Sequence, residues 1–487
     1  MLHRPVDVSD SQAPFRRLIP PLSAAVTSSI LVTADTISIL GAGYLTYILL
    51  ITRAGPLAEF CVLFVWLASL MLMQFSGLYR YEVASQPWRH FPPILISLAT
   101  AFLFVLAAAF SIKMSEEFSR LWMASFAATS LALVFCSRTL ISFAFATLVD
   151  KKLLRRNLAI IGDGEQTIRF MQRVHKDRFH PIAINGVFLD CPDRMATGLN
   201  PRLAEEFRFG GDLDALVEKA RSGAIDDVVI ALPWSEDDRV MAIVAKLREL
   251  PVNVFLASDL IGFRTEFRSP PGHFGSLPIV QLIGRPMSGW DSVLKSMEDY
   301  VLAAFLVVVL APLLVLVALA IRLDSRGPIL FTQKRLGFNN QVIDVYKFRS
   351  MYCDAAGPAS KTQQATRQDA RITRVGRFLR RWSLDELPQL FNVLNGTMSL
   401  VGPRPHALDH NEDFAHQIRG YFARHRVKPG ITGLAQVKGF RGPTDTPEKL
   451  EGRVRNDIFY VDNWSLSWDM RILARTFVIC LVGKNAY

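Results

Sequence analysis

Five apolar runs constrain this chain more than any other feature. They cover residues 22–50, 60–78, 94–112, 121–149 and 300–321, and each reaches the roughly 18 residues that license a membrane-helix reading. Half of the 487 residues are apolar, 20% are charged and the mean hydropathy is +0.23, which is oilier than an ordinary soluble surface. Intrinsic disorder is excluded on the same grounds, and a membrane protein is expected.

The first four runs predict a four-helix transmembrane bundle over residues 1–150. The first is too long for a signal-peptide core and lacks a small-x-small cleavage site, so it is expected to be retained. Arg4, Arg16 and Arg17 precede the set, and Lys151, Lys152, Arg155 and Arg156 follow it, which places both ends in the cytoplasm. Asp35 and Arg138 fall inside these runs, where an ionised group costs about 2.5–3.5 kcal/mol on insertion scales. Each is expected at an interface or facing the bundle interior, with a mutual pair as the alternative.

The fifth run has 22 residues and no charge, yet two features argue against a simple crossing. Pro312 removes a backbone donor in mid-run and clashes with the carbonyl of Val308, so a sharp bend is expected. Basic residues flank both ends, Arg285 and Lys295 before and Arg322, Arg326, Lys334 and Arg335 after. The expectation is a helix–break–helix over 300–321 that dips into the inner leaflet and returns. An ordinary kinked span is the alternative, since proline is tolerated in membrane helices.

Residues 151–285 change character. Short β-branched runs at 158–161, 184–189, 227–232 and 252–256 alternate with helical stretches, the pattern of a Rossmann-like α/β domain. Gly162-Asp163-Gly164 follows the first strand where a dinucleotide fingerprint would begin. The third glycine is replaced by Thr167, and Asp163 and Glu165 oppose a pyrophosphate. A regulatory, small-ligand or oligomerisation module is therefore expected, with Pro270-Pro271-Gly272 and the glycines up to Gly284 read as the linker to the last domain. The five cysteines, Cys61, Cys136, Cys191, Cys353 and Cys480, are scattered without a CxxC pair, which suits a reducing compartment and neither a disulfide nor a zinc framework.

The formal charge of +11 is concentrated at one end. Residues 1–321 carry 29 basic and 29 acidic side chains, and residues 322–487 carry 26 and 15, so something anionic is expected at the C-terminal part, residues 286–487. Lys347-Phe348-Arg349, then Arg371, Arg374, Arg377, Arg380 and Arg381, and Arg404 within Gly402-Pro403-Arg404-Pro405 form the basic series. Paired prolines hold a guanidinium on stiff extended backbone, which suits phosphate. Anionic lipid is the other ligand such a series suits. Among these residues lies the segment 383–390. Pro388 is tolerated only in a first helical turn, so a helix is expected from near Asp385 through Leu394 to the Asn395-Gly396 stop. That places Asp385 and Glu386 at a helix N-terminus, either as a cap and first-turn acid or as groups that gather phosphate or a metal-bound phosphate.

Downstream, residues 427–442 are glycine-punctuated and read as a tight loop whose backbone approaches a ligand. Leu450, Val454, Ile458 and Val461 recur at helical spacing before Trp464, Trp468, Arg471 and Arg475, a pattern that fits either an interfacial amphipathic helix or burial on the domain core. His406 and His410 are four apart, but no third metal ligand is evident.

These motifs together resemble a known family, the bacterial monotopic polyprenyl-phosphate sugar-1-phosphate transferases that start exopolysaccharide and O-antigen assembly. The resemblance covers Asp291 to the C-terminus: the membrane hairpin, Gly327-Pro328 with Gln333 and Arg335, Lys347-Phe348-Arg349-Ser350-Met351, residues 383–389, 401–405 and 429–436. Four membrane helices and a degenerate nucleotide-binding-like domain in front are similar to its large members, in particular those that transfer glucose. Leu434 stands where many members carry Trp, and Thr397 where Asp or Ser is usual.

The resemblance implies an α-rich, membrane-associated catalytic domain and a ping-pong reaction in the bacterial inner membrane, with that domain facing the cytoplasm. Asp385 would attack a UDP-sugar and expel UMP, and undecaprenyl phosphate would then accept the sugar phosphate. Asp385 would also bind Mg²⁺, and Glu386 would assist metal placement or proton removal. Lys347, Arg349, Arg380 and Arg404 are the expected phosphate and substrate contacts. Expected partners are the UDP-sugar, undecaprenyl phosphate, membrane lipid and downstream glycosyltransferases, with homo-oligomerisation left open and nucleic acid excluded. Glucose is the expected sugar, with galactose next. Two other classes compete. A membrane-anchored nucleotide-sugar dehydratase needs an intact glycine fingerprint and a Tyr-x-x-x-Lys pair, which this chain lacks, and an assembly scaffold would need no Asp385.

Overall fold

The computed structural model describes residues 24–50, 56–79, 87–111, 119–150, 156–176, 182–190, 209–257, 273–274, 277–352, 369–406, 408–418, 420–440 and 446–482. The flanking residues Arg4, Arg16, Arg17, Lys151, Lys152 and Arg155, the linker at 270–272, Cys191 and Cys353 lie outside them. The chain divides into two compact units, Met1–Arg155 with Asp177–Ile182, and Arg156–Lys176 with Ala183–Tyr487. Among the described residues five helices are long and apolar enough to cross a membrane, and the chain is a membrane protein.

In the first unit the helices Ala24–Leu50, Pro56–Phe75, Phe91–Ser111 and Arg120–Asp150 pack together around Leu31, Ile39, Val65, Ile94, Leu98, Trp122 and Phe126. Their polarity is reversed relative to a soluble bundle. Ile37, Phe64, Phe104 and Phe143 point outward, each at least 60% exposed, while Asp35, Ser69, Ser130 and Arg138 are buried. That arrangement suits hydrocarbon as the surrounding solvent, where polar groups must face one another.

Asp35 and Arg138 form the mutual pair that the sequence left as an alternative. Arg138 Nη2 lies 2.6 Å from Asp35 Oδ2 and Nε lies 3.2 Å from Oδ1, and Nη1 donates to the Leu78 carbonyl at 3.1 Å. The fork therefore ties the first helix to the last and to the end of the second. Removing one partner strands the other charge, so Asp35→Ala and Arg138→Ala should each destabilise the bundle by about 3–5 kcal/mol. Asp35→Leu combined with Arg138→Met should recover most of that loss. Thermal unfolding in detergent checks this, and a double variant as weak as the singles would contradict it.

The second unit begins with a sheet in the order β3-β2-β1-β4-β5-β7-β6. Its strands are β1 (Arg156–Ile161), β2 (Ile182–Leu189), β3 (Phe209–Asp212), β4 (Asp227–Ile230), β5 (Asn253–Ala257), β6 (His273–Phe274) and β7 (Leu277–Ile283). The β2–β3, β1–β4 and β4–β5 pairs are parallel and β7 returns antiparallel on β5. Four strands follow the sequence reading to within about two residues. β3, β6 and β7 are additions to it: Phe-Gly-Gly-Asp carries no strand pattern, and β7 lies in the stretch expected as linker but pairs with β5. Arg156, read as a topology-setting flank, belongs to β1 and pairs with the buried Asp227 at 2.7 Å.

At the carboxyl ends of these strands the chain answers the weak glycine motif. A Cβ on Gly162 would stand 2.4 Å from Thr167 Oγ1 and 2.6 Å from the Ala231 carbonyl, so this glycine serves close packing inside the protein. Arg239 reaches Asp190 at 2.6 Å and Asp163 at 3.8 Å, and also pairs with Glu236. An ion cluster of the chain's own residues thus stands at the strand ends where a dinucleotide is held in this architecture.

The rest of the unit is built on the helix Trp290–Asp324. Helical geometry runs through Pro312 without interruption, so the expected division into two helices with a break is not seen. Alternate faces explain its composition. Ala303, Val317 and Ile321 are buried against the protein, whereas Phe305, Val308, Leu316 and Leu323 are more than 60% exposed. Against it lie the antiparallel hairpin β8 (Leu330–Leu336) and β9 (Val342–Phe348), the helix Arg374–Trp382, and a parallel pair of short strands, β10 (Ser399–Val401) and β11 (Gly430–Thr432). The helices Pro447–Asp462 and Leu466–Val482 complete it. Leu450, Val454 and Val461 are buried and Trp464 and Trp468 pack on the core, so that apolar stripe is a core face and not an interfacial one. The tip of the β8–β9 hairpin ties back to the sheet region, Asn339 Nδ2 donating to the carbonyls of Ala220 at 2.9 Å and Arg221 at 2.7 Å.

Candidate active site

The segment carrying Asp385 and Glu386 is a tight turn between two helices. Ser383 adopts φ 57° and ends the helix Arg374–Trp382 in the left-handed conformation. Leu384–Glu386 then forms one turn of 3₁₀ helix, and Pro388 precedes the short helix Gln389–Leu394. The two acids therefore precede the helix that was expected to begin at them. Proline has no N–H, and the neighbouring amides bond three residues back: Glu386 to Ser383 and Leu387 to Leu384, both at 3.3 Å. With six residues, the following helix is also too short for its dipole to explain the site.

Charge pairing explains it better. Glu386 is buried, and its carboxylate is held by two cations. Arg404 Nη1 reaches Oε2 at 3.0 Å and Nη2 reaches Oε1 at 2.5 Å, while Lys347 Nζ reaches Oε1 at 3.0 Å. Burial alone would raise the carboxyl's pKa, but Arg404 and then Lys347 outweigh it and hold Glu386 well below the usual carboxylate range. Lys347 stands at the end of β9, and Arg404 on the Pro403-Arg404-Pro405 segment just after β10. Arg335, on β8, completes the cationic wall. It donates to Gln333 Oε1 and the Pro405 carbonyl, and burial, with the Arg404 charge adding, pushes it down to about 10. In the sequence Arg335 stands out only as part of a motif. Its place at the site follows from its antiparallel partnership with β9, a non-local contact.

Asp385 is half-buried and has no hydrogen-bond or ion-pair partner among the described residues. Burial, with the Glu386 charge adding, pushes its carboxyl up to about 6, against the opposing pull of Lys347, Arg380 and Arg404. Arg380 Nη1 is buried without a hydrogen-bond partner, so a donor beside the free carboxylate is available to an incoming oxyanion. Arg380, Lys347 and Arg404 are thus brought together around the acidic pair.

Arg349 is not. It is buried and turned away onto the end of the helix Trp290–Asp324. It donates to the carbonyls of Ser325 at 2.7 Å and Arg326 at 2.8 Å, and to Ser325 Oγ at 3.0 Å. The correction has a simple cause. Strand alternation would set Lys347 and Arg349 on one face, but β9 ends at Phe348, so Arg349 lies outside the strand and its side chain follows the loop to the helix end. Arg371 likewise pairs with Asp369 at 2.6 Å. Two glycines of the 427–442 loop pack backbone on backbone: a Cβ on Gly430 would stand 2.1 Å from the Gly402 nitrogen and one on Gly433 2.2 Å from the Gly402 carbonyl oxygen, whereas one on Gly439 would meet nothing within 4 Å.

The donor set bears on Mg²⁺ as follows. No group of three or more His, Cys, Asp or Glu that could hold a metal occurs among the described residues. His406 is enclosed by Tyr421 and Arg424, and the His410 side chain lies outside the described residues. At the site, Asp385 is a carboxylate without a hydrogen-bond or ion-pair partner among the described residues. That fits the habit of Mg²⁺ at phosphate sites, one or two carboxylates with substrate oxygens and water, and not an all-protein cage.

Comparison with known proteins places the chain in a family. The bacterial sugar transferase family model matches residues 290–483, and a CoA-binding domain model matches residues 74–258. The UDP-glucose:undecaprenyl-phosphate glucose-1-phosphate transferase of Escherichia coli is 38% identical over 389 residues, 79% of this chain and 81% of that protein. The protein of the same name from Xanthomonas campestris pv. campestris is 34% identical over 455 residues, 85% of this chain and 92% of that protein. An exopolysaccharide production protein of Rhizobium leguminosarum bv. phaseoli is 49% identical over 194 residues, 39% of this chain and 95% of that protein. The chain belongs to the bacterial sugar transferase family.

Two measurements check the geometry. Arg349→Met removes the charged donor that binds the Ser325 and Arg326 carbonyls at the helix end and should destabilise this unit by on the order of 2–3 kcal/mol, read from its urea midpoint; an unchanged midpoint would contradict the capping role. In metal-free protein the Asp385 carboxyl should titrate near 6 by carbon NMR. Glu386→Gln removes a neighbouring negative charge and should move that midpoint down; a midpoint that rises or stays would contradict the repulsion between the two carboxylates as a cause of the shift.

Proposed function

We propose that the protein transfers glucose-1-phosphate from UDP-glucose to undecaprenyl phosphate, releasing UMP, as the first membrane step of exopolysaccharide synthesis. The names of relatives that match most of the chain support the substrates, and the Rhizobium relative supports the exopolysaccharide setting. The observation that carries the chemistry is the unpartnered Asp385 carboxylate beside the doubly clamped Glu386.

The division of labour follows from those contacts. An Asp385 oxygen attacks the glucose-bearing phosphorus of UDP-glucose. The bond from that phosphorus to the UMP oxygen breaks, and an acyl phosphate carries the sugar. The phosphate of undecaprenyl phosphate then attacks the same phosphorus and returns Asp385 as a carboxylate. A carboxylate suits this role because its mixed anhydride remains reactive toward the second acceptor. Both steps exchange one high-energy phosphorus–oxygen linkage for another.

Glu386 takes a different part from the one first expected. Both its oxygens are engaged and its carboxyl is held well below the usual range, so it is a poor proton acceptor. It fixes Lys347 and Arg404 beside the reacting phosphate and keeps a negative charge next to Asp385. Arg380 offers its unpartnered Nη1 to a phosphoryl oxygen. Asp385 would hold Mg²⁺, which would supply charge neutralisation to the phosphoryl group.

The membrane arrangement belongs to the same proposal. Four helices form a transmembrane bundle in the bacterial inner membrane. Bent at Pro312 while staying helical, the helix Trp290–Asp324 enters the cytoplasmic leaflet and returns, so that the site faces the cytoplasm at the headgroup level. Both its halves pack on one body, which supports this. Asp299 accepts from the Leu400 amide at 2.9 Å and from Ser399 Oγ at 3.0 Å, and near the other end Asp324 accepts from the Val375 amide at 3.2 Å.

Two tests apply. Asp385→Asn should reduce UMP release from UDP-glucose by at least about a thousandfold, the scale expected for loss of a nucleophile; wild-type release would overturn the transferase reading, and release from UDP-galactose alone would overturn the sugar. Single cysteines replacing Gly289 and Arg326 should react with an impermeant thiol reagent from the cytoplasmic side only; labelling from opposite sides would make the helix a full span.

A further inference from the structure

We propose that Arg424, held by Asp457, is a positioning residue for Arg404. The inference rests on the transferase reading above. Arg424 is fully buried at 0% exposure, so it touches no substrate, and the mechanism gives it no part. Yet its guanidinium meets the backbone of the site's central cation. Arg424 Nη2 donates to the Arg404 carbonyl at 2.7 Å and lies 2.6 Å from Asp457 Oδ2. Its Nη1 lies 2.7 Å from His406 Nδ1 and 3.3 Å from Tyr421 Oη. One planar fork therefore grips residues 404 and 406 at once. The carbonyl between them, that of Pro405, accepts from Arg335.

The reason for such a grip lies in the segment itself. Arg404 sits between two prolines, outside any strand or helix. Prolines stiffen the backbone but supply no amide N–H to anchor it. The anchors must come from elsewhere, and here they come from buried side chains. Asp457, on the helix Pro447–Asp462, fixes Arg424 from behind and is itself buried. Tyr421 Oη donates to Asn411 Oδ1 at 2.8 Å, which holds the ring beside His406. His406 is kept far below its ordinary value by burial, with Arg424 adding, so it stays neutral and does not repel the guanidinium. A chain of contacts runs from Asp457 through Arg424 to the backbone of Arg404, and from the Arg404 guanidinium to Glu386.

A lysine at 424 could meet Asp457 but could not present two nitrogens in a plane to the 404 carbonyl and the 406 ring. The Arg404 fork would then lose its pitch on Glu386, and a small displacement of a charged group costs rate more than binding. The test uses the full-length protein in detergent with UDP-glucose and no lipid acceptor, following single-turnover UMP release. Arg424→Lys should lower the rate at saturating UDP-glucose at least about tenfold while KM stays within about twofold. The decisive comparison is a cycle with Arg404→Lys. If Arg424 acts through Arg404, the double variant is no slower than Arg404→Lys alone.

Losses that multiply, or a wild-type rate in Arg424→Lys, would overturn the proposal. Where Arg424→Lys does not fold, Asp457→Asn takes its place in the same cycle with the same two outcomes. Asp385→Asn run alongside separates the two levels. An active wild type with an inert Asp385→Asn isolates the positioning claim, and without that contrast the transferase reading falls and takes this claim with it.

Discussion

Two adjacent carboxylates in one buried turn repel each other, and the site depends on how that repulsion is managed. Glu386 is neutralised by Arg404 and Lys347, at contacts between 2.5 and 3.0 Å. Asp385, without a partner of its own among the described residues, is left with a raised pKa and a free oxygen. One acid becomes a fixed anchor and the other a candidate nucleophile, although their side chains are chemically almost the same. Exchanging their surroundings would exchange their roles.

The larger framework serves that asymmetry. Lys347 and Arg335 come from facing strands of one hairpin, and Arg404 from the loop after β10. β10 is in turn gripped by Asp299 of the long helix. Arg349 fastens the end of that helix to the strand bearing Lys347. The helix that meets the membrane and the cations of the site are therefore parts of one hydrogen-bonded body.

Much of this could be read from the chain alone, for reasons that differ by element. The membrane helices declare themselves because 18 or more apolar residues in a row have few alternatives. The parallel strands are legible as short β-branched runs, whereas β3, with two glycines in four residues, has no pattern to betray it. Asp385, Glu386, Lys347, Arg380 and Arg404 stand out as residues, and the structure gathers them. What the sequence could not supply was pairing. That Glu386 meets Arg404 and Lys347, that Asp35 meets Arg138 across 103 positions, and that Arg349 faces a helix end are non-local facts. Local signals mislead twice. Pro388 suggests a helix starting at Asp385, but its missing N–H instead leaves a separate 3₁₀ turn. Pro312 suggests a break between two helices, yet one helix continues through it, as proline is tolerated in membrane helices.

The central claim is that Asp385 carries the sugar phosphate. Intact-protein mass spectrometry after mixing with UDP-glucose, in the absence of undecaprenyl phosphate, tests it most directly. The expected result is a mass gain of one hexose phosphate, mapped by peptide analysis to Asp385 and removed when undecaprenyl phosphate is added. A protein that releases UMP only when the lipid acceptor is present, with no mass gain before it, would contradict the claim.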